Sequence, residues 1–505
     1  MPSIQTTCGS TFYYSKEPIG EGAAKIVYMT TDKKHVVCFY KKSDPADRSR
    51  VQQIIGNYRM NVLGGNGAFF KDLMCWPTHM FDNELGFGII CPTYPENFFF
   101  SIGSNQNAPM SLKGKEKHGR WFTGVYQRAF LHKKELSDWS SYIRICLQLA
   151  RSVRKLHAAG LAHSDLSYNN VLFDPFNRTA CIIDIDALVV PGLYPPQVLG
   201  TPGFIAPEVL RTQRLKMSDP NKFLPRRETD LHALAILIYS LLLYRHPLAG
   251  PKVHDADDPN RDENLMMGAR ALFIEHPTDR SNRPTKRWLD KKWKHRRLKN
   301  NTPLEYLPWT NPDSVPYTSL GPYLSPLVKA AFVDGLHHPK KRPSANLWEQ
   351  ALVRTADNIL PCSNPDCAQK WFIYNNETSP VCSFCKTPYQ ESLPIVDFYY
   401  QRRGTQYVPA NHRMVARNGT RIYKWHTNEY TPTGENLSNE DRKPMGVIFK
   451  KDGKWLFLNQ ELETLKLVKE KRIIEKGKMF ELTEGMQLLF DNESGGRLGL
   501  LRFAK

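Results

Sequence analysis

The sequence lacks any long hydrophobic run. Its most apolar stretch within 505 residues, Ala233 to Tyr244, is about a dozen residues long, whereas a bilayer-spanning helix needs about 20. The first residues, MPSIQTTCGSTFYY, contain no basic segment followed by an apolar one, which is the pattern of a secretory signal. We therefore expect a protein without membrane association and with a cytoplasmic location.

Acidic residues are scarce relative to basic ones. The 50 Asp and Glu residues face 69 Lys and Arg residues, which leaves a net charge of +19. This excess favours acidic partners, including nucleic acid. Part of it lies in the basic tract 286–299, KRWLDKKWKHRRLK, where Trp288 and Trp293 are interleaved with cations that could contact phosphates while the rings stack on bases. We favour the alternative, a solvated helical face with both tryptophans turned inward.

The cysteine pattern does not indicate an oxidised scaffold. Most of the ten cysteines are scattered among apolar neighbours, as buried reduced thiols are. The others form the pairs Cys362-x4-Cys367 and Cys382-x2-Cys385, the spacing of a four-cysteine zinc ribbon in which two knuckles hold one tetrahedral Zn²⁺. We expect one structural zinc ion here, because the alternative of two disulfides is disfavoured in a reducing cytoplasm.

Periodicity and turn residues divide the chain into four parts. Residues 1–92 combine short strands with one helical segment that opens at Pro45, and residues 93–358 are mainly helical. Residues 359–393 contain the clustered cysteines, and residues 394–505 show the alternation of a β-rich domain. The predicted fold class is therefore α+β.

One segment carries a pattern of catalytic residues. Ala162-His-Ser-Asp-Leu-Ser-Tyr-Asn-Asn170, followed by Asp184 in IIDIDAL, resembles the catalytic loop of protein kinases, H-R-D-L-x-x-x-N, and their D-F-G turn. The resemblance implies a bilobal protein kinase fold that transfers the γ-phosphoryl group of ATP to a hydroxyl. Asp165 would then accept the hydroxyl proton, whereas Asn170 and Asp184 would bind Mg²⁺ or Mn²⁺.

Further motifs distinguish protein kinases from small-molecule kinases. The segment GTPGFIAPE, which ends at Glu208, resembles the end of a kinase activation segment. Asp230, before the apolar helix, matches the aspartate that caps the catalytic-loop backbone, and Arg342 matches the arginine that pairs with Glu208. Ser167 and the loop after Asp165 lack the usual tyrosine-kinase signature, so the resemblance favours Ser/Thr specificity, with tyrosine specificity as the open alternative.

The chain also departs from the kinase pattern. Ser164 replaces the arginine that usually holds a phosphorylated activation loop, so we expect no control by that route. Ser167 replaces a lysine that is common in Ser/Thr kinases, and the D-F-G position reads Asp184-Ile-Asp186. Asp186 would add charge near the metal ions.

A third glycine is missing from the phosphate-binding loop PIGEGAAKIVY, where Lys25 stands instead. Gly20 and Gly22 would still let backbone amides approach ATP. A bulky side chain is unexpected at the third-glycine position, so the presence of Lys25 there calls for a functional explanation.

The strand HVVCFY offers that explanation. If the hairpin turn is formed by residues 31–34, Cys38 lies opposite Val27, at the position where the family carries its ATP lysine. This arrangement is similar to that of the with-no-lysine kinases, and the similarity implies that Lys25 supplies the amine to the ATP phosphates. Two alternatives stay open: a shifted turn that points Lys41 or Lys42 inward, and a pseudokinase without an effective lysine.

The partner of the ATP lysine is also missing. No glutamate occurs between Glu21 and Glu84, so the helical segment 45–63 cannot supply the usual ion pair. The side chains of this segment that could substitute are Asp47, Gln52 and Gln53. We place the adenine hinge at residues 90–92, with Ile90 and Cys91 among the nucleotide contacts.

The β-rich tail resembles a forkhead-associated β-sandwich in its strand spacing. The order of kinase, zinc ribbon and β-tail is similar to that of bacterial eukaryotic-like Ser/Thr kinases. The implied partners are a protein substrate and a cognate phosphatase or docking protein at the ribbon and tail. The alternatives are a nucleotide-binding pseudokinase scaffold and a nucleic-acid-associated protein that uses the basic tract. We interpret His412 and His426 as ordinary polar residues rather than metal ligands.

Overall fold

The chain divides into two compact units. A computed structural model describes residues 1–190, 192–194, 196, 199–297, 301, 303, 308–375, 379–403 and 406–504. The first unit comprises residues 1–137, 141–318 and 325–349, and the second comprises residues 138–140, 319–324 and 350–505. Within the described ranges, no helix is long and apolar enough to cross a bilayer.

The strands of the first unit are β1 (Ser3–Gln5), β2 (Thr11–Tyr13), β3 (Gly20–Glu21), β4 (Lys25–Met29), β5 (His35–Tyr40), β6 (His79–Asn83), β7 (Gly86–Pro92), β8 (Val171–Asp174) and β9 (Thr179–Ile182). Those of the second unit are β10 (Ile359–Pro361), β11 (Trp371–Ile373), β12 (Leu393–Arg403), β13 (Gln406–Val415), β14 (Thr420–Tyr423), β15 (Pro444–Lys451), β16 (Lys454–Asn459), β17 (Lys466–Leu467), β18 (Arg472–Ile473), β19 (Met479–Glu481), β20 (Gln487–Leu489) and β21 (Arg497–Ala504). The α-helices are α1 (Pro45–Gln53), α2 (Arg59–Leu63), α3 (Val125–Arg128), α4 (Trp139–Ala158), α5 (Pro207–Arg211), α6 (Arg227–Leu243), α7 (Pro259–Met267), α8 (Lys286–Trp293), α9 (Gly321–Lys329), α10 (Ala345–Ala356) and α11 (Lys424–Thr427).

The first unit begins with the antiparallel pair β1-β2, which is followed by an antiparallel five-stranded sheet in the order β3-β4-β5-β7-β6. Because side chains alternate along a strand, its two faces pack into different clusters. Val37 and Ile90 lie in a buried cluster on one face, whereas Cys38 and Ile89 lie on the other face and pack against Val51 of α1. The second face is the one that also carries Val27.

Helix α1 begins at Pro45 as the sequence predicts. The carboxylate of Asp44 accepts a hydrogen bond from the backbone N–H of Asp47, and the Asp47 side chain accepts one from the N–H of Asp44. This reciprocal capping satisfies N–H groups that have no partner within the helix. A π-helical turn at Ile54–Tyr58 connects α1 to α2.

The helical part of the first unit is organised around α4 and α6. Helix α6 is apolar on all sides, and nearly all of its residues are buried, as expected for a helix at the centre of a domain. It ends at Leu243, and the following residue, Tyr244, caps it in a left-handed conformation with φ of 55°. Strands β8 and β9 form a separate antiparallel pair, so the catalytic-loop segment between α4 and β8 and the Asp184 turn after β9 lie on neighbouring connections.

The second unit contains a small hairpin, β10-β11, and two larger antiparallel sheets. The larger sheets have the orders β13-β12-β21-β20-β17-β18 and β14-β15-β16-β19. The ring centroid of Phe490 lies 6.0 Å from that of Phe398 in one sheet and 6.3 Å from that of Phe457 in the other, so the two sheets share an aromatic core. The predicted all-β tail also contains one helical turn, α11.

Candidate functional site

Asp230 caps the backbone of the predicted catalytic loop, residues 163–170. Its carboxylate accepts the N–H of His163 at 2.7 Å and the N–H of Ser164 at 3.0 Å. The imidazole Nε2 of His163 lies 2.9 Å from the carbonyl oxygen of Ile183. Ser164 adopts a left-handed φ of 63°, a strained conformation that the two capped N–H groups help to stabilise.

These contacts place Asp165 at the centre of a hydrogen-bond network. The amide of Asn170 donates to the carbonyl oxygen of Asp165 at 2.8 Å and to its Oδ2 at 3.0 Å. The hydroxyl of Thr201 donates to Oδ1 at 2.7 Å and lies 3.1 Å from the Oγ of Ser167. Both carboxylate oxygens therefore accept hydrogen bonds, which hold the carboxylate in one orientation. Sequence reasoning missed Thr201, although it stands inside the quoted GTPGFIAPE motif.

Asn170 and Asp184 are joined through the backbone. The N–H of Ile183 donates to the carbonyl oxygen of Asn170 at 3.1 Å, which fixes the next residue, Asp184, beside the catalytic loop. Asp184 has a left-handed φ of 63°, and its side chain is 41% exposed. The accessible oxygens of these residues are the hard ligands that Mg²⁺ prefers.

Strands β4 and β5 form the predicted hairpin. Their register is the expected one, with Val27 opposite Cys38. Lys25 is two residues before Val27, so it lies on the same face, opposite Tyr40. The Lys25 Nζ lies 2.7 Å from Oδ1 of Asp184. The register thus brings this lysine to the predicted metal ligand.

A second carboxylate completes the surroundings of Lys25. Its Nζ lies 2.9 and 2.8 Å from the two oxygens of Asp186, and the hydroxyl of Tyr40 also donates to Asp186. The side chain of Asp186 is only 4% exposed. Asp186 therefore contacts the lysine directly.

Charge pairing decides the protonation of this cluster. Burial by itself lowers the pKa of Lys25, but the carboxylates of Asp186 and Asp184 raise it well above its ordinary value. Burial likewise raises the pKa of Asp186, but Lys25 and the hydrogen bonds from Lys25 and Tyr40 leave it below its ordinary value. The lysine is a cation and Asp186 an anion at neutral pH.

The other candidate lysines lie elsewhere. The Lys41 Nζ lies 2.6 Å from Oε1 of Glu21, and their side chains are 34% and 58% exposed. Lys42 is exposed at the strand end. Neither occupies the position opposite Val27, where the register puts Cys38.

The expected substitutes for the missing glutamate have other contacts. Asp47 forms an ion pair with Arg50, with an N–O distance of 3.1 Å. The side-chain oxygen of Gln53 accepts a hydrogen bond from Asn57 at 2.9 Å, and Gln52 is exposed. In the described residues, the acidic contacts of Lys25 come from Asp184 and Asp186.

Only some of the residues that are predicted to contact the nucleotide lie on the same side of the five-stranded sheet. Gly20 and Gly22 have open space around their Cα atoms, with no atom closer than 3.9 Å to an added Cβ. Cys91 packs with the cluster that includes Val27. Ile90 does not, because alternation along β7 turns its side chain to the opposite face of the sheet. Its carbonyl oxygen accepts the N–H of Thr78.

The predicted pair Glu208–Arg342 is buried and bidentate. The two guanidinium nitrogens lie 2.7 and 2.8 Å from the two carboxylate oxygens. Arg342 also donates to the carbonyl oxygens of Glu228, Gly335 and Leu336. A fully hydrogen-bonded buried pair of this kind fixes the activation-segment end against the helical part of the unit.

Comparison with known sequences agrees with this geometry. The family model described as protein kinase domain matches residues 121–329. This part of the chain is therefore similar to protein kinase domains. The matched residues include the catalytic loop, Asp184, Glu208 and Asp230, and leave out the glycine loop with Lys25.

Several curated proteins resemble parts of the kinase domain. The rat anti-Muellerian hormone type-2 receptor is 35% identical over 130 residues, which cover 21% of this chain and 23% of the receptor. Human MAP kinase-activated protein kinase 5 is 24% identical over 309 residues, covering 56% and 63% of the two chains. The serine/threonine-protein kinase PknD of Chlamydia felis is 25% identical over 142 residues, covering 24% and 14%. The chain thus spans less than two thirds of the length of these relatives.

Among solved structures, the kinase domain of a rhoptry antigen from Toxoplasma gondii has a TM-score of 0.33 and 14% identity, covering 52% of this chain and 76% of its own. A score this low carries no weight by itself.

The clustered cysteines of the second unit converge. The Sγ atoms of Cys362 and Cys385 are 3.4 Å apart and those of Cys367 and Cys382 are 4.0 Å apart, and all four lie within 4.8 Å of one another. Tetrahedral Zn²⁺ with bonds of about 2.3 Å to sulfur requires sulfur–sulfur distances of about 3.8 Å. The donor set therefore fits one zinc ion.

His412 and His426 also converge, on Asp357. Their Nε2 atoms lie 2.8 and 3.3 Å from the same carboxylate oxygen. The N–H of Tyr423 donates to Nδ1 of His426, so the ring proton of this histidine is on Nε2, which would have to lose it to bind a metal. This arrangement favours a buried hydrogen-bonded cluster that stabilises the second unit.

Proposed function

We propose that the chain is a Ser/Thr protein kinase that depends on ATP and Mg²⁺ and takes its phosphate-binding lysine from the glycine loop. The observation that carries this proposal is the position of the Lys25 amine, 2.7 Å from Asp184 and on the strand face shared with Val27 and Cys38. Phosphoryl transfer depends on positioning and on neutralisation of phosphate charge rather than on covalent help from the protein. A half-buried cation beside the predicted metal ligand meets the second requirement.

The remaining residues would divide the work as the kinase pattern implies. Asp165 would accept the proton of the substrate hydroxyl, and the hydrogen bonds from Thr201 and Asn170 would hold its carboxylate in one orientation. Asn170 and Asp184 would hold Mg²⁺, which neutralises phosphate charge when bound. Cys91 would face the nucleotide, with Gly20 and Gly22 over its phosphates.

We further propose that Asp186 replaces the missing helix glutamate. It contacts both the Lys25 amine and the Tyr40 hydroxyl, and it is nearly fully buried. This assignment gives the departure from D-F-G a positioning function in place of the added charge near the metal that the sequence suggested.

The proposed organisation keeps a kinase amino-terminal lobe at 1–92, a carboxy-terminal lobe at 93–358, a zinc ribbon at 359–393 and a β-rich domain at 394–505. The ribbon and β-rich domain would dock a protein partner, such as a cognate phosphatase, in the cytoplasm of a bacterium. Cys362, Cys367, Cys382 and Cys385 would hold one structural Zn²⁺. Metal analysis of the purified chain should give about one zinc per molecule, and Cys382→Ser should lower this stoichiometry. A zinc-free, fully stable protein would contradict the zinc assignment.

Transfer of radiolabelled phosphate from ATP tests the kinase proposal. Wild type should label itself or a generic Ser/Thr substrate, and both Asp165→Ala and Lys25→Met should abolish labelling. Lys41→Met is the matched control and should keep most of the activity. Loss of activity in Lys41→Met but not in Lys25→Met would refute the lysine assignment. Absence of labelling with either Mg²⁺ or Mn²⁺, together with retained nucleotide binding, would identify a pseudokinase scaffold.

A further inference from the structure

A pocket of about 540 Å³ lies in the first unit beside the catalytic loop. One wall is formed by the catalytic loop and another by residues 120–127. The third wall is α8 with the residues after it, which belong to the basic tract. The lining side chains used below are Arg120, Tyr126, Tyr168, Phe204, Lys292 and Arg296.

The charges of this pocket are of one sign. No carboxylate lines it among the described residues. Arg245 reaches the lining but forms an ion pair with Glu275, with an N–O distance of 2.6 Å. For Lys292 and Arg296, no acidic partner occurs within the described part of the chain. The same holds for Arg120, so these three cations of the lining are the ones whose charge is available to a ligand.

Aromatic rings hold the cations in place. The Lys292 amine lies 4.5 Å from the centroid of the Trp288 ring. The guanidinium of Arg296 lies 4.5 Å from the Tyr126 ring and 5.2 Å from the Trp293 ring. Both tryptophans are half-buried and line the pocket. Stacking of this kind orients a cation without neutralising it.

The environment of Lys292 is that of an unpaired cation. Burial lowers the pKa of its amine, and the nearby charge of Arg296 lowers it further. The residue as a whole is exposed, and its side chain lines the pocket. An anion bound between Lys292 and Arg296 would relieve this repulsion.

The pocket lies next to the site of the proposed reaction. Tyr168 follows Asp165 in the catalytic loop, and its ring meets that of Phe204 edge to face with centroids 4.9 Å apart. The N–H of Phe204 donates to the carbonyl oxygen of Thr201, whose hydroxyl contacts Asp165. One aromatic pair therefore separates the cationic pocket from the carboxylate that would receive the substrate hydroxyl.

We propose that this pocket binds an anionic side chain of the protein substrate, either a carboxylate or a phosphate, a few residues from the phosphorylated hydroxyl. The proposal rests on the proposed kinase function and deepens it by naming the substrate class, acidic peptides. An extended peptide advances about 3.3 Å per residue, so neighbouring residues of the substrate can reach beyond the Tyr168–Phe204 pair. A peptide fits better than nucleic acid because the cations converge in one pocket instead of following a backbone track.

Peptide binding to the full chain tests the pocket without requiring turnover. The probes are three fluorescein-labelled peptides with one serine, flanked on both sides by alanine, by glutamate or by phosphoserine. We expect the glutamate and phosphoserine peptides to bind at least about tenfold more tightly than the alanine peptide at low salt, with the difference shrinking as salt is added. Whichever anionic peptide binds more tightly identifies the preferred source of the charge.

Variants then locate the binding. Lys292→Ala and Arg296→Ala should each weaken binding of the glutamate peptide about five- to tenfold, because each removes one charge-assisted contact. Lys286→Ala, on the same helix but outside the pocket lining, is the matched control and should bind as wild type does. Unaltered thermal unfolding would show that the variants are folded. Wild-type affinity in both pocket variants would overturn the proposal.

Two further comparisons separate this proposal from its alternatives. In phosphoryl-transfer assays, the pocket variants should lose more kcat/KM with the glutamate peptide than with the alanine peptide. Transfer without any acidic preference would refute the pocket alone, whereas acidic preference in binding without transfer would refute the kinase function alone. Tighter binding of a single-stranded oligonucleotide than of the anionic peptides, lost in the same variants, would overturn the proposal in favour of nucleic acid.

Discussion

Replacement of Asp186 by asparagine is the sharpest test of the Lys25 cluster. The change keeps the size of the side chain but removes the charge that contacts the Lys25 amine at 2.8 and 2.9 Å. Breaking a buried ion pair by removing one partner costs about 3–5 kcal/mol. Asp184 remains 2.7 Å from the amine, and asparagine keeps one oxygen acceptor. We therefore expect a smaller loss, about 2 kcal/mol in the free energy of unfolding.

The same change should affect catalysis. If the lost interaction energy is what positions the amine, about 2 kcal/mol corresponds to a decrease of roughly 30-fold in kcat/KM for ATP. Urea unfolding and steady-state phosphoryl transfer measure the two effects. Asp82→Asn is the matched control, because it makes the same chemical change in the exposed pair Arg48–Asp82, whose side chains are 37% and 39% exposed. It should cost less than about 1 kcal/mol.

A double-mutant cycle decides whether Asp186 acts through Lys25. Asp186→Asn, Lys25→Met and the double variant should show a coupling energy of about 1–3 kcal/mol, since the two side chains are in contact. Additive effects on stability would refute the argument. Unchanged kcat/KM in Asp186→Asn would show that the buried carboxylate has no positioning function.

Three further outcomes follow from the geometry. Thr201→Val removes one hydrogen bond to Asp165, so it should lower kcat about tenfold while the free energy of unfolding falls by less than about 1 kcal/mol. Thr201→Ser keeps the hydroxyl and should retain the wild-type kcat. Arg342→Met leaves a buried carboxylate without its partner and should cost about 3–5 kcal/mol in urea unfolding, whereas a loss below about 1 kcal/mol would contradict the buried pair. Stability of the second unit should fall with decreasing pH. Burial holds the pKa of His412 below its ordinary value despite the contact with Asp357, so the unfolded chain takes up the proton first, below about pH 6.5. Denaturant unfolding at pH 7, 6 and 5 measures this, and a flat profile would refute it.

The kinase fold could be predicted because its motifs are tied to chemistry. Asp165, Asn170 and Asp184 need fixed spacing along the chain, and the Glu208–Arg342 pair can be read from two short motifs. The register of β4 with β5 followed from counting residues around one turn, which correctly placed Cys38 opposite Val27.

Contacts between distant segments could not be predicted in this way. Lys25 and Asp186 are 161 residues apart in the chain, and neither residue signals the other. The Asp357 cluster draws on three separate segments of the second unit. Ile90 shows a different limit: hydrophobicity along β7 is nearly continuous, so the pattern did not reveal which residues share the face of the sheet that carries Val27 and Cys38.

The ion pair of Lys25 has a consequence for how the kinase domain would be switched. In the kinase pattern, the lysine and its glutamate partner both belong to the amino-terminal lobe, so rotation of one helix can separate them. Here the amine projects from the five-stranded sheet, whereas its carboxylate partners follow β9. In the proposed kinase, separation of the five-stranded sheet from the segment after β9 would therefore break both contacts of the Lys25 amine at once. A ligand or partner that causes this separation would release the amine without any rotation of α1.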